Sequence, residues 1–300
     1  MIPLACPVCH AELSGEPSGA RCAACALEYP VIDGIGRFLP PDRAASFAPF
    51  LHDYTTVRLA EGRASADPEF FRRLPAPTPG TPLEAQWRMR ARTWAVVERR
   101  VLGVSSGPLR VLDVGAGVGW LSNRLTELGH VAAAIDLTVD PDDGLGACRH
   151  YTREFLRWQA EMDALPVAAA SVDLVVYNAS LHYSTDLECT LREALRVLAP
   201  GGRVVVMDSP IYRRAADGEA MITERHADFA RRFGTRSDSV PSIGYLTPER
   251  LASVATALGL TWSRHRPWYG WRWAWKPWRA RVRRRRAPSR FELLVARQAA

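Results

Sequence analysis

The sequence predicts an α/β fold on a doubly wound parallel sheet, with a small cysteine-bearing unit ahead of it. Three observations carry this. Arg110–Val114 is an apolar strand that runs into Gly115-Ala-Gly-Val-Gly119 and then into a helix opening at Trp120. Val131–Ile135 is a second apolar strand, ending in Asp136. Cys6-Pro-Val-Cys9 and Cys22-Ala-Ala-Cys25 gather four thiols within the first 40 residues. Strands that are apolar along their length and alternate with helices belong to a sheet covered on both faces.

Three hundred residues suit one ordinary domain with appendages, and 47% apolar residues are enough for a full core. The net charge of +7 is uneven. Residues 262–290 hold ten Arg and one Lys and no acid, a local +11 that leaves the remainder at −4. The basic character therefore describes one segment and not the main domain. Lys276 is the only lysine, so a single Arg carries little weight as a signal. Met1–Cys6 has no leader pattern, and there is no apolar run of about 18 residues. The expectation is a cytoplasmic chain, with peripheral attachment to a membrane as a variant.

In chain order, residues 1–40 come first. Each C-x-x-C can place two thiolates on one turn, and two turns twelve residues apart can close a tetrahedral Zn2+ site on Cys6, Cys9, Cys22 and Cys25. Reduced thiols in a cytoplasmic chain favour metal over disulfide; two incidental redox pairs are the alternative. Four cysteines leave no open coordination position, so the role is structural. So small a unit lacks an adequate core, and the metal is expected to supply its folding free energy.

Residues 41–84 read as a Pro-punctuated linker with one or two short helices, His52–Arg58 among them. Leu83–Leu102 is a stronger helix, with Trp87, Arg90, Trp94, Val97 and Val101 on one side. The glycine turn after Val114 lets a ligand lie against bare peptide. A nicotinamide fingerprint needs a third glycine where Trp120 stands, which disfavours a dinucleotide. An acid at the tip of the second strand, Asp136, faces a ribose in such sheets.

Val111-Leu-Asp-Val-Gly-Ala-Gly-Val-Gly119 closely resembles motif I of class I S-adenosylmethionine (SAM)-dependent methyltransferases, of the type 11 kind. Asp136, Asp163-Ala-Leu165 and Leu198-Ala-Pro-Gly-Gly202 follow in that family's order, and the resemblance runs over residues 85–298. It implies a Rossmann-like seven-stranded class I methyltransferase sheet over 85–300 and SAM as cofactor. The implied cofactor residues are Asp113, Gly115, Ala116, Gly117 and Gly119 at the turn, Asp136 and Leu137 at the ribose, Asp163, Ala164 and Leu165 at the adenine, and Asn178 and Ser180 after the fourth strand. A turn or helix-capping role is the alternative for Asp163. Helices ahead of motif I often cover the cofactor in this family, which makes Arg58 or Arg90 a candidate partner for the SAM carboxylate; a solvated Arg beside an aromatic is the alternative.

Ala147–Trp158 is expected to be a helix, and Ser171–Asn178 the fourth strand. His182 and Tyr183 lie just beyond that strand, and Asp208 and Tyr212 just beyond the fifth, at Arg203–Asp208. Ligands bind past the carboxyl ends of such strands. His182 is a candidate general base, and Asp208 and Tyr212 are candidate substrate contacts. A packing His and ordinary loop structure are the alternatives. Residues 213–246 read as mostly helical and as a substrate lid. Thr247-Pro248 caps a further helix, and Leu260–Arg264 and Phe291–Arg297 close the sheet.

Between those last strands lies an insertion, residues 267–288, in which Trp268 to Arg286 interleave Trp and Arg. This pattern suits an anionic membrane surface, RNA, or packing on the protein's own lid or ribbon. The sequence thus predicts methyl transfer from SAM to a small-molecule or lipid-linked acceptor. The alternative is an rRNA or tRNA base, because residues 1–40 resemble the zinc ribbons that partner or precede RNA methyltransferases. A second alternative is a SAM-binding module without catalysis.

Overall fold

The computed structural model describes residues 2–16 and 18–298. Strands β1 (Ser14–Glu16), β2 (Gly19–Arg21), β3 (Glu28–Ile32) and β4 (Ile35–Arg37) form the N-terminal ribbon. Helices α1 (Pro41–Ala60), α2 (Pro68–Arg73) and α3 (Glu84–Val97) follow, the last extended by a π-helical turn over Glu98–Leu102. The central region runs β5 (Arg110–Val114), α4 (Trp120–Glu127), β6 (Val131–Asp136), β7 (Leu156–Gln159), β8 (Val172–Asn178), α5 (Leu187–Val197) and β9 (Leu198–Met207). The chain then continues through α6 (Ala215–Phe233), α7 (Pro248–Leu258), β10 (Leu260–His265), α8 (Trp271–Ala274), α9 (Lys276–Val282) and β11 (Leu293–Gln298).

The strand order is β1-β2-β3-β4-β7-β6-β5-β8-β9-β11-β10. Strands β7 to β9 pair in parallel, and β11 inserts antiparallel between β9 and β10. This is the expected seven-stranded sheet, lengthened at one edge by the ribbon. Alternate residues of each central strand point to opposite faces. Leu112, Val114, Val175, Tyr177, Val204 and Val206 enter one core, with α5 and α7 over it. Val111, Leu174, Val176, Val205 and Met207 enter the other, under Phe71, Trp87, Trp94 and Trp120.

Three expectations change. The ribbon is not an isolated bead: β4 pairs in parallel with β7 through Gly36↔Trp158 and Arg37↔Gln159. Cys6, Cys22, Tyr29 and Phe38 share one core with Leu112, Trp158 and Leu165, so burial against the main sheet helps hold the ribbon. The region expected to be a helix at Ala147–Trp158 is a 3-10 turn (Leu145–His150) followed by β7. The pull is tertiary: Trp158 sits in β7 between β6 and β4, edge-on to Phe38 at 6.1 Å. Finally, the linker holds a 20-residue helix, α1, despite Pro49 inside it.

Candidate active site

The site forms where β5, β6 and β8 end. Gly115 has φ +74, and a Cβ there would come within 2.2 Å of the Ser180 Cβ, so only glycine fits. Gly117 also has a left-handed φ of +55 but open space beside it, and it lines a cavity. Asp136 is held by two backbone donors: Gly117 N–H at 2.7 Å and Thr138 N–H at 2.9 Å. Burial raises its pKa, opposed by those two bonds and by the nearby Arg58.

Two cavities meet at Gly115 and Ala179. The larger, about 280 Å³, has Asp136, Leu137, Met162 and Asp163 along one wall. Its other wall is apolar: Phe47, Phe50 and Tyr54 of α1, Tyr183, and Val240-Pro241 from the loop after α6. The rings of Phe50, Tyr54 and Tyr183 lie 5.6–6.4 Å apart, centre to centre.

Helix α1 roofs this cavity and is clasped at both ends. Arg43 donates two hydrogen bonds to Glu161, at 2.8 and 2.6 Å. Four turns further along, Arg58 donates two to Asp143, at 2.5 and 2.6 Å. Arg43, Glu161 and Asp143 were not singled out from the sequence. A pair of Arg residues on one helix has no visible meaning until their acids are brought beneath it.

The smaller cavity, about 60 Å³, is lined by Trp87, Arg90, Ala116, Gly117, Trp120 and Asn178, with Arg58 and Arg63 at its edge. Arg58 is already paired with Asp143, and Arg63 with Glu61. Arg90 lies 4.8 Å over the Trp87 ring and has no carboxylate within ion-pair distance among the described residues. Burial pulls its guanidinium down to about 10, so it stays cationic at neutral pH. Asn178 Oδ1 and Trp87 Nε1 are both buried without a hydrogen-bond partner. A lone cation, a free donor and a free acceptor thus surround bare glycine backbone, a donor set that fits the zwitterionic end of an amino acid.

Of the other expected residues, Ser180 lines the larger cavity and the rest stand apart from both. Asp113 is fully buried and accepts from the N–H and Oγ of Ser122, which ties it to the start of α4; burial pushes it up to about 7. Gly119 begins α4. The Leu165 N–H donates to Glu193 at 2.8 Å, and Ala164 lies just past the Asp163 rim. Ser180 donates to the Val114 carbonyl at 2.5 Å. His182, Asp208 and Tyr212 are not brought together, and none lines either cavity. His182 Nδ1 is 3.4 Å from Ser209 Oγ, and burial pushes its pKa down to about 3. Asp208 accepts from Thr93 at 2.7 Å with its other oxygen unpartnered, and burial raises its pKa. The Tyr212 hydroxyl accepts from Arg286 at 3.1 Å.

At the far end of the sheet, the Sγ atoms of Cys6, Cys9, Cys22 and Cys25 all lie within 4.8 Å of one another. Cys9 and Cys22 are 3.6 Å apart, near the roughly 3.8 Å that tetrahedral Zn–S bonds of about 2.3 Å require. The Tyr29 hydroxyl is 3.2 Å from Cys6 Sγ.

The methyltransferase-domain family matches residues 112–206 of this chain. An uncharacterized methyltransferase of Mycolicibacterium gilvum is 30% identical over 191 residues, covering 59% of this chain and 72% of that protein. The chain is a class I SAM-dependent methyltransferase. The methyltransferase is also 37% identical over 99 residues to the malonyl-[acyl-carrier protein] O-methyltransferase of Hahella chejuensis, 33% of this chain and 36% of that one. It therefore spans little more than a third of that relative's length. The solved 1,6-didemethyltoxoflavin-N1-methyltransferase of Burkholderia thailandensis shares the fold at TM-score 0.50, with 17% identity, over 97% of this chain and 100% of that one.

Proposed function

We propose that this methyltransferase methylates a small-molecule or lipid-linked acceptor held against the aromatic wall under α1, with the adenosine of SAM along the Asp136–Asp163 wall of the same cavity. The observation that carries the reading is that cavity's composition: Phe47, Phe50, Tyr54 and Tyr183 face the Asp136 wall across about 280 Å³. An apolar slot of this kind takes an acceptor with a planar or aliphatic body. Asp136 accepts from the ribose hydroxyls, and Asp163 from the adenine amino group beside the Ala164 backbone. Arg90 pairs with the SAM carboxylate and Asn178 Oδ1 accepts from its ammonium group. Leu165, its N–H already given to Glu193, contributes packing.

When bound, SAM supplies a methyl group already activated on a sulfonium. What remains for the chain is to align the acceptor and exclude water, and the double clasp of α1 serves both. His182, held neutral, and Asp208 and Tyr212 act in this reading behind the cavity wall, as supports for the residues that touch ligand. The relatives named for O-methylation of malonyl-[acyl-carrier protein] favour an oxygen on a carried acyl group as the first acceptor to test. Cys6, Cys9, Cys22 and Cys25 hold a structural Zn2+, with Tyr29 orienting Cys6 from outside the ligand set.

The test is transfer of tritiated methyl from SAM into lysate, separated into lipid, small-molecule, protein and RNA fractions. Label is expected in lipid, in small molecules, or on protein in a form that hydroxylamine releases. Label confined to RNA would overturn the acceptor class. Failure to bind SAM in calorimetry would overturn the cofactor assignment.

A further inference from the structure

Residues 267–286 take no part in the cavities described above, yet they carry the protein's most concentrated exposed apolar surface. Helical hydrogen bonds run across the α8–α9 junction, from Trp275 N–H to Trp271 O (3.0 Å) and from Arg279 N–H to Trp275 O (3.1 Å). One helical periodicity therefore governs the segment. Its outward stripe is Trp271, Trp275, Trp278 and Val282, spaced 4, 3 and 4, which puts all four on one face. They are 73%, 54%, 58% and 62% exposed, and Trp268, 58% exposed, extends the ridge by packing on Trp271. Trp273 points the other way, onto Tyr269 and Phe291, and anchors the segment.

Charge borders the ridge. Arg272, Arg279, Arg281, Arg283, Arg284 and Arg285 are all exposed, and none forms an ion pair among the described residues. We propose that the α8–α9 segment is a docking surface for an anionic lipid bilayer, with its Trp ridge at headgroup depth and its Arg border on lipid phosphate. Tryptophan settles at that depth because one edge of its ring is polar, and arginine meets phosphate there. The ridge suits lipid better than RNA. Base stacking needs open ring faces, whereas Trp268–Trp271 and Trp275–Trp278 each pack edge to face, at 5.1 and 5.6 Å, so that in each pair one ring covers a face of the other.

The segment is wired to the active-site side of the molecule. The Tyr269 hydroxyl lies 2.8 Å from Thr93 Oγ1, which donates to Asp208, and Thr93 sits on α3 with Arg90. Docking would bring that side near the lipid phase. This deepens the reading of a lipid-linked acceptor, but the binding step stands or falls without it.

The experiment uses the full-length protein and sedimentation with phosphatidylcholine vesicles, with and without about 30 mol% phosphatidylglycerol. Binding should be at least tenfold tighter to the anionic vesicles and fall steeply with salt. Trp271→Ala/Trp275→Ala/Trp278→Ala should reduce it about tenfold or more while SAM affinity, read by calorimetry, stays within twofold. Arg272→Gln/Arg279→Gln/Arg281→Gln should abolish the preference for anionic lipid. Equal binding to both vesicle types, or displacement from vesicles by a single-stranded RNA oligonucleotide at lower concentration than the lipid itself, would overturn the proposal. Methyl transfer is scored separately, so a protein that docks but modifies no lipid refutes only the acceptor class.

Discussion

Replacing Arg90 by methionine should weaken SAM binding without weakening the fold. The guanidinium has no acid partner among the described residues, and burial already pulls it down to about 10. Among the described residues its one close side-chain contact of this kind is with the Trp87 ring, worth about 1–2 kcal/mol at a partly desolvated site. Methionine keeps much of the stem packing and removes an enclosed charge, which offsets the lost ring contact, so stability should change by less than about 2 kcal/mol in either direction. A hydrogen bond to a charged group contributes about 1.5–3 kcal/mol, which is roughly a ten- to hundredfold rise in Kd for SAM. Arg58→Met is the control. It strands Asp143, whose side chain is only 5% exposed, so it should cost about 3 kcal/mol, the low end for a broken buried pair because Arg58 itself is partly exposed. Calorimetry with SAM and urea midpoints measure both variants. The reasoning is refuted if Arg90→Met binds SAM within twofold of the parent, or if it loses as much stability as Arg58→Met.

Three further outcomes are expected. Asp136→Ala should raise the Kd for SAM at least about tenfold, since it deletes the proposed ribose acceptor and frees the Gly117 and Thr138 N–H groups it now fixes; unchanged affinity in calorimetry would remove the ribose assignment. Cys22→Ser should lower zinc from about one per chain toward none in elemental analysis, yet leave the far-ultraviolet dichroism of the sheet in place, because the ribbon shares its core with the main sheet. His182 has a folded pKa near 3 against an unfolded value of about 6.5, so between those limits only the unfolded chain takes up the proton. Stability should therefore be full above about pH 6.5 and fall as pH drops below it, by up to ~1.4 kcal/mol per unit. His182→Gln should flatten that slope between pH 7 and 5 in urea titrations; equal slopes in both proteins would show that His182 is not the group responsible.

Much of the fold was legible from short-range chemistry. The strand–glycine–helix run at 110–120, the acid at 136 and the two C-x-x-C pairs each depend on residues a few positions apart, which sequence displays directly. Residues 147–158 were not legible in the same way, because β7 is four residues long and is held as a strand by β6 on one side and the ribbon's β4 on the other. The roles of Arg58 and Arg90 were equally open in the sequence. Their difference lies in Asp143, 85 positions from Arg58, which neutralises one and leaves the other free.

The sequence alone determined the class of sheet, the cofactor it serves and the four thiols, since backbone turns, strand tips and ligand spacing are written in local order. Only the tertiary structure decided which charge stays unpaired, that the ribbon continues the sheet edge, that α1 clamps an aromatic slot, and that Trp271, Trp275 and Trp278 share one outward face. Those depend on which distant groups meet, and the cost of enclosing a charge or the gain from covering a ring exists only once they have met.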